Sequence, residues 1–128
     1  MSNVPEGLKY SREHEWVKME GNLAVIGITD HAQHQLGDIV FIELPKVGAA
    51  LQLMKPLGVV ESVKAASDIF SPITGKVVAI NEALVKAPET VNSDCYEKGW
   101  MVKIEPGKPD ELNNLLDPKA YAALIEGL

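Results

Sequence analysis

Between Glu13 and Pro106, runs rich in valine and isoleucine alternate with glycine, proline and asparagine, at intervals too short for long helices. β-Branched residues crowd a helix but suit a pleated surface, and the punctuating residues supply turn geometries. Such a chain must fold mainly as short strands. EHEWVKMEGNLAVIGIT predicts a hairpin that turns at Gly21-Asn22, with Trp16, Val17 and Met19 before the turn and Leu23, Val25, Ile26 and Ile28 after it. TDHAQHQLG predicts a short helix, N-capped by Thr29 or Asp30 and stopped by Gly37 in the left-handed helical region. DIVFIELP predicts a strand closed by Pro45, and GAALQLMKP a shorter one closed by Pro56. LGVVESV and SDIFSP flank Lys64, SPITG is a turn, and KVVAIN is the next strand. The stretch from Glu82 to Gly99 reads as a looser connection before WMVKIEP, where Trp100, Val102 and Ile104 alternate.

The last segment changes character. PDELNNLL predicts a short helix. DPKAYAALIEGL predicts a longer one, with Asp117 as N-cap, Pro118 in the first position, and a buried stripe of Ala120, Tyr121, Leu124 and Leu128. GDIVFIEL and GKVVAINE echo one another, and GVVESV and GWMVKI do so more faintly, a pattern that fits a sheet sandwich with quasi-twofold symmetry.

A length of 128 residues suits one domain with one core. With 18 acidic against 12 basic residues the net charge is −6, and no basic stripe is present. Nucleic acid and anionic membranes are therefore not expected as partners. The only cysteine, Cys95, excludes an internal disulfide and a thiolate metal cluster. MSNVPEGLKYSREHEW has neither the apolar core of a secretory signal nor the arginine-rich character of a transit peptide. No apolar run approaches the roughly 20 residues that span a bilayer. These features predict a soluble monomer of a reducing compartment, most simply a bacterial cytoplasm, or a mitochondrial matrix for a processed organellar form.

Lys64 interrupts two apolar runs and is followed by Ala65 and Ala66. A hairpin tip holds a side chain out from two strands fixed by ladder hydrogen bonds, and the two alanines leave the approach open. Exposed lysines are also commonplace in turns, so spacing alone favours an ordinary surface lysine.

ESVKAASDIFSPITGKVV closely resembles the lipoyl attachment segment of the H proteins of the glycine cleavage system. The resemblance extends through LKYSREHEWVKMEGNLAVIGITDHAQHQLGDIVFIELP, VNSDCYEKGWMVKI and DELNNLLDPKAYAAL, so it covers nearly the whole chain. It implies a barrel-sandwich hybrid of antiparallel strands, mainly β, with one short helix in the N-terminal half and a C-terminal helix. Residues 1–128 would form a single lipoyl-carrier domain, with the lipoyl hairpin at about 58–78 and the C-terminal helical segment at about 109–127. It further implies a carrier rather than an enzyme, with lipoate amide-linked to Lys64. Its partners would be a pyridoxal-phosphate glycine decarboxylase, a tetrahydrofolate-dependent aminomethyltransferase, a dihydrolipoamide dehydrogenase using flavin and NAD, and the lipoylating enzyme.

By the same resemblance Glu15 and Asp68 match positions of a cleft that shelters the loaded arm, and Glu61 matches an acidic residue recognised by the lipoylating enzyme. Glu15 and Asp68 are also readable as solvated charges at strand edges, and Glu61 as an exposed alternate-strand residue, which is compatible with the same recognition. Glu13 stands where relatives often carry serine, and Gln35 where some carry histidine. His31 and His34 share a helical face, but no third ligand accompanies them, so no metal site is expected. Cys95 has no neighbouring cation to activate it. Trp16, Trp100, Phe41 and Phe70 are expected to pack in the core or half-buried.

A biotin carrier would place methionines around the lysine, where Val63 and Ala65 stand here. The lipoyl domain of a 2-oxo-acid dehydrogenase would place aspartate before it. A relay that passes lipoate to other enzymes is a third alternative.

Overall fold

The computed structural model describes residues 3–128. Among these residues nine strands are present: β1 (Lys9–Tyr10), β2 (Glu15–Glu20), β3 (Leu23–Ile28), β4 (Ile39–Glu43), β5 (Ala50–Leu51), β6 (Pro56–Ser62), β7 (Ala66–Phe70), β8 (Gly75–Ile80) and β9 (Val102–Pro106). Helix α1 (Asp30–Leu36) follows β3, α2 (Glu82–Lys86) and α3 (Thr90–Ser93) lie between β8 and β9, and α4 (Pro118–Glu126) ends the fold after a 3-10 turn over Pro109–Asn114. All pairings are antiparallel. One sheet has the order β1-β2-β3-β9-β8-β5 and the other β4-β6-β7. The two sheets do not close into a barrel.

Strand alternation explains how these sheets pack. Val17, Ala24, Ile26 and Ile104 of the large sheet meet Ile42, Val60 and Ile69 of the small one in a single buried cluster. On the opposite face of the large sheet, Trp16 and Val25 join Leu8, Tyr10 and Tyr121 under α4. Burying an aromatic the size of Trp16, which is 1% exposed, is worth roughly 2–3 kcal/mol. Its indole lies across Gly27, its direct partner on β3, where a β-carbon would stand 2.7 Å from the ring. The indole N–H donates to the Cys95 carbonyl at 3.0 Å.

The hairpin expected at Gly21-Asn22 pairs Glu20 with Leu23. Thr29 caps α1 by accepting from the Ala32 N–H. Gly37 stops that helix at φ 82, ψ −155, an extended conformation with positive φ rather than the left-handed helical one. Asp117 caps α4, with Pro118 in its first turn. The echoed segments take matching places: β4 pairs with β6 in the small sheet, and β8 with β9 in the large one.

Four further expectations need correction. The stretch from Glu82 to Gly99 is not loose, because Leu84 and Val91 bury themselves and hold two short helices in place. Pro56 opens β6 rather than closing the strand before it; its missing N–H suits the first position of a strand. The buried residue of α4 is Tyr121, flanked by partly buried Leu124 and Ile125, while Ala120 and Leu128 are exposed. Phe41 is exposed on β4, because an irregularity in the β4–β6 register turns both it and Val40 outward.

Candidate functional site

Lys64 sits in the three-residue turn between β6 and β7, and the turn is held from below. The buried Ser62 hydroxyl accepts from the Lys64 N–H at 3.1 Å and the Ala65 N–H at 3.2 Å, and donates to the Ala65 carbonyl at 3.2 Å. The Val63 N–H donates to the Asp38 carbonyl at 3.0 Å. Asp38 is in turn flanked by Asn92, whose amide donates to the Gly37 carbonyl and whose carbonyl oxygen accepts from the Ile39 N–H. The tip is thus rigid, although its residues from Val63 to Asp68 are exposed. The Lys64 ammonium enters neither of the two ion pairs found among the described residues. Its stem crosses Gly37, where a β-carbon would stand 3.3 Å from Cε.

The sequence gives neither Ser62 nor Asn92 a role at the tip. A serine two residues before a turn tip, and an asparagine in a loop-like stretch, are the residue types that bond to nearby backbone. That is a usable signal, though a weak one.

Glu61 is exposed on β6, opposite Phe41 on one side and Ala66 on the other. Below the tip β7 runs into a cavity of about 460 Å³. Glu15 and Asp68 both line it, Asp68 from β7 and Glu15 from the first residue of β2. Asp68 is four residues from Lys64, roughly 13 Å along an extended strand. The cavity wall also includes Glu13, His14 and α1 residues such as His31 and Gln35. Lys64 and Glu61 lie outside it.

Glu15 is not a solvated strand-edge charge. It is 2% exposed, and its Oε1 accepts from the Ser11 hydroxyl at 2.6 Å. Burial, strengthened by the nearby Glu13 charge, pushes its carboxyl up to about 8, although the Ser11 hydrogen bond and the Phe70 backbone favour the anion. Burial thus biases the carboxyl that lines the cavity toward its neutral form.

Three consecutive residues, Glu13, His14 and Glu15, line one cavity. A regular strand cannot do this, since its neighbours face opposite ways. His14 makes it possible by adopting φ 73, a left-handed conformation that costs a non-glycine residue roughly 1 kcal/mol. Its half-buried ring has its pKa lowered by burial and by His31, whose ring lies 4.7 Å away.

His31 and His34 part company: His31 lines the cavity, whereas the His34 side chain is 60% exposed beside Asp30. Among the described residues no group of three His, Cys, Asp or Glu could hold a metal ion. The buried Cys95 thiol is pushed up to about 12, chiefly by desolvation, which leaves it inert as a nucleophile.

Residues 8–127 match the family model described as glycine cleavage H-protein. A glycine cleavage system H protein of Carboxydothermus hydrogenoformans is 57% identical over 98% of this chain and 97% of its own length. A mitochondrial glycine cleavage system H protein of Pisum sativum is 54% identical over 98% of this chain and 76% of its own length. The crystal structure of a glycine cleavage system H protein from Mycobacterium marinum superposes with a TM-score of 0.85 at 34% identity, over 98% of this chain and all of that one.

Proposed function

The chain belongs to the glycine cleavage H-protein family, and on that footing we propose that Lys64 bears its lipoyl group and that the cavity beside β7 shelters the loaded arm. As a member of the family it is the lipoyl carrier of the glycine cleavage system, a shuttle and not a catalyst. The lysine, the cleft and the individual partners are the proposal.

One observation carries it. The exposed Lys64 ammonium, in no ion pair among the described residues, stands on a hairpin tip pinned by Ser62, and β7 leads from the tip to Asp68 in the cavity that Glu15 also lines. The site therefore fits the group: the amine is open to acylation, and the cavity lies within the volume range of small-molecule sites. Attached lipoate supplies a disulfide that accepts electrons as cargo is taken up and re-forms on reoxidation.

The protein's own residues do the rest. Acylation turns the Lys64 ammonium into a neutral amide, so the charge that keeps the stem in water is gone. An aminomethyl cargo carries an ammonium near neutrality, and Asp68 at the cavity mouth attracts it. Glu15, held neutral by its dry surroundings, loses its proton as the cation arrives, because an opposite charge favours the carboxylate. Ser11 steadies the resulting anion through the hydroxyl it already donates. Closure by these walls also keeps water from the cargo.

Glu61, exposed on the strand leading to the tip, is the acidic mark for the lipoylating enzyme. Glycine decarboxylase, the tetrahydrofolate-dependent aminomethyltransferase and dihydrolipoamide dehydrogenase complete the set of partners. A bacterial cytoplasm, or a mitochondrial matrix for a processed form, belongs to the same proposal, since the relatives include proteins of both kinds. No helix among the described residues is long and apolar enough to cross a membrane.

Intact mass after treatment with a lipoate ligase tests the attachment. One lipoyl increment on the wild-type chain and none on Lys64→Arg is expected. Glycine–bicarbonate exchange with the decarboxylase then separates a glycine carrier from a lipoate relay. Full exchange by Lys64→Arg would overturn the assignment.

A further inference from the structure

Helix α4 bonds to residues that shape the cavity through the Tyr121 hydroxyl, and Leu128, beyond its end, adds to the lining. Tyr121 is fully buried, and its ring stacks on Tyr10 with centroids 4.6 Å apart and planes 10° from parallel. Its hydroxyl lies 2.8 Å from His14 Nδ1 and 2.8 Å from Thr29 Oγ1. These partners are 107 and 92 residues distant in sequence, and each governs one wall of the cavity. His14 is the left-handed residue that turns Glu15 inward, while Thr29 caps α1, from which His31 and Gln35 reach the cavity.

A phenol hydroxyl has one proton and two lone pairs, so it can donate to one partner and accept from the other. The lowered pKa of His14 favours the neutral ring, with Tyr121 donating to Nδ1 and Thr29 donating to Tyr121. Thr29 Oγ1 still accepts from the Ala32 N–H. The His14 carbonyl accepts from the Thr29 N–H at 3.0 Å, closing a ring of contacts between the two walls. A left-handed histidine persists only where its surroundings hold it. Here the fixed neighbour is Tyr121.

We propose that Tyr121 is a positioning residue of the arm-sheltering cleft: its hydroxyl locks His14 in the left-handed conformation and ties it to the start of α1, so that the buried Glu15 carboxyl is aimed into the cavity. This rests on reading the cavity as the resting place of the arm. Tyr121 touches neither arm nor cargo; it acts through His14 and Thr29. The charged and titratable groups around the Glu15 carboxyl are Glu13 and His14 beside it, His31 from α1, Asp68 from β7 and the Tyr121 phenol from α4.

Tyr121→Phe keeps the ring stack and removes only the hydroxyl. Carbon-13 NMR of the full, unlipoylated chain follows the Glu15 carboxyl through pH. The wild-type midpoint should be high, and Tyr121→Phe should lower it by about one unit, a tenfold loss of proton affinity. Restoring the backbone by another route is the second arm: glycine adopts φ 73 unaided, so Tyr121→Phe should move the midpoint much less in a His14→Gly background. An unchanged midpoint in a folded Tyr121→Phe protein would overturn the proposal, as would equal shifts in both backgrounds. If Tyr121→Phe does not fold, the wild type decides. A Tyr121 hydroxyl proton exchanging slowly enough to be observed, with cross-peaks to the His14 ring and Thr29, is then expected, and fast exchange overturns the proposal.

The cleft reading is tested apart from this, by cargo retention on lipoylated Glu15→Gln. Normal retention there, together with a shifted midpoint in Tyr121→Phe, would remove the cleft and leave the positioning. Poor retention with an unmoved midpoint would do the reverse.

Discussion

On the proposed reading Lys64 and Glu15 both carry chemistry, and the fold supports them in opposite ways. Lys64 stands in water on a turn whose hydrogen bonds come from residues next to it in sequence, Ser62 and Ala65 above all. Glu15 is buried in a site assembled from distant segments, with Ser11 local but His14, Thr29 and Tyr121 bridging most of the chain. The tip needs a side chain that stays reachable, so it leaves the ammonium unpaired and makes only the backbone rigid. The cleft needs a carboxyl whose charge appears on demand, so it withholds water from the side chain itself. A carrier uses both: one place where any enzyme can reach the arm, and one where nothing can.

The largest expected effect sets the two regions furthest apart. Burial raises the Glu15 carboxyl from its ordinary 4.5 to about 8 in the folded chain. A raised acid contributes stability that is fully present below its unfolded value and is lost as pH climbs through its folded value. Glu15→Gln keeps the acceptor for Ser11 but cannot ionise. Relative to the wild type it should therefore gain stability steadily between about pH 4.5 and 8 and level off above that. The full separation sets a ceiling of roughly 5 kcal/mol, and water entering the opened site will reduce it. Urea unfolding of both proteins across that range measures the difference. A flat difference would mean that Glu15 is as solvated as Lys64, and the contrast between the regions would vanish.

Ser62→Ala probes the other side. The buried hydroxyl serves two N–H groups and a carbonyl of the turn, so its removal should cost about 1–3 kcal/mol. Lys64→Ala, with an exposed and unpaired side chain, should stay within about 0.5 kcal/mol of wild type. The rate of lipoylation should fall in Ser62→Ala although Lys64 is intact, because the ligase meets a loosened tip. Equal stability of the two variants would show that the turn is held by its strands alone.

This contrast also marks what the sequence could reveal. Strands β2, β3, β6 and β7 follow from alternation and turn residues within a few positions of one another, and so does the hairpin tip bearing Lys64. Asp117-Pro118 and Thr29 announce two helices for the same local reason. The cleft is different. That Glu15 is buried depends on a histidine at positive φ, for which no composition rule exists, and on a tyrosine more than a hundred residues away. Periodicity put Ala120, Tyr121, Leu124 and Leu128 on one buried face of α4, and the hydroxyl network and the stack on Tyr10 single out Tyr121 among them. Short helices α2 and α3 escaped because four or five residues are too few to show a period, and tertiary burial of Leu84 and Val91 holds them. Resemblance supplied Glu15, Asp68 and Glu61; it did not supply their electrostatics.

The smallest effect asks whether α4 serves the cleft or only the core. The Asp117 carboxylate accepts from the Ala120 N–H at 2.7 Å and so fixes the first turn of α4, with Tyr121 one residue further on. Asp117→Ala should cost about 1 kcal/mol, the usual worth of an N-cap, and fray that turn without unfolding the chain. Hydrogen exchange gives the informative reading, since local opening is felt only by groups tied to the frayed segment. The Thr29 amide, bonded to the His14 carbonyl, should exchange faster. The Ser62 amide, bonded to the Ala65 carbonyl in the small sheet's hairpin, should exchange as before. Acceleration at both would make α4 a general brace of the sandwich, and acceleration at neither would detach it from the cleft. Acceleration at Thr29 alone would place α4 as the support of the buried site, with the lysine tip mechanically independent of it.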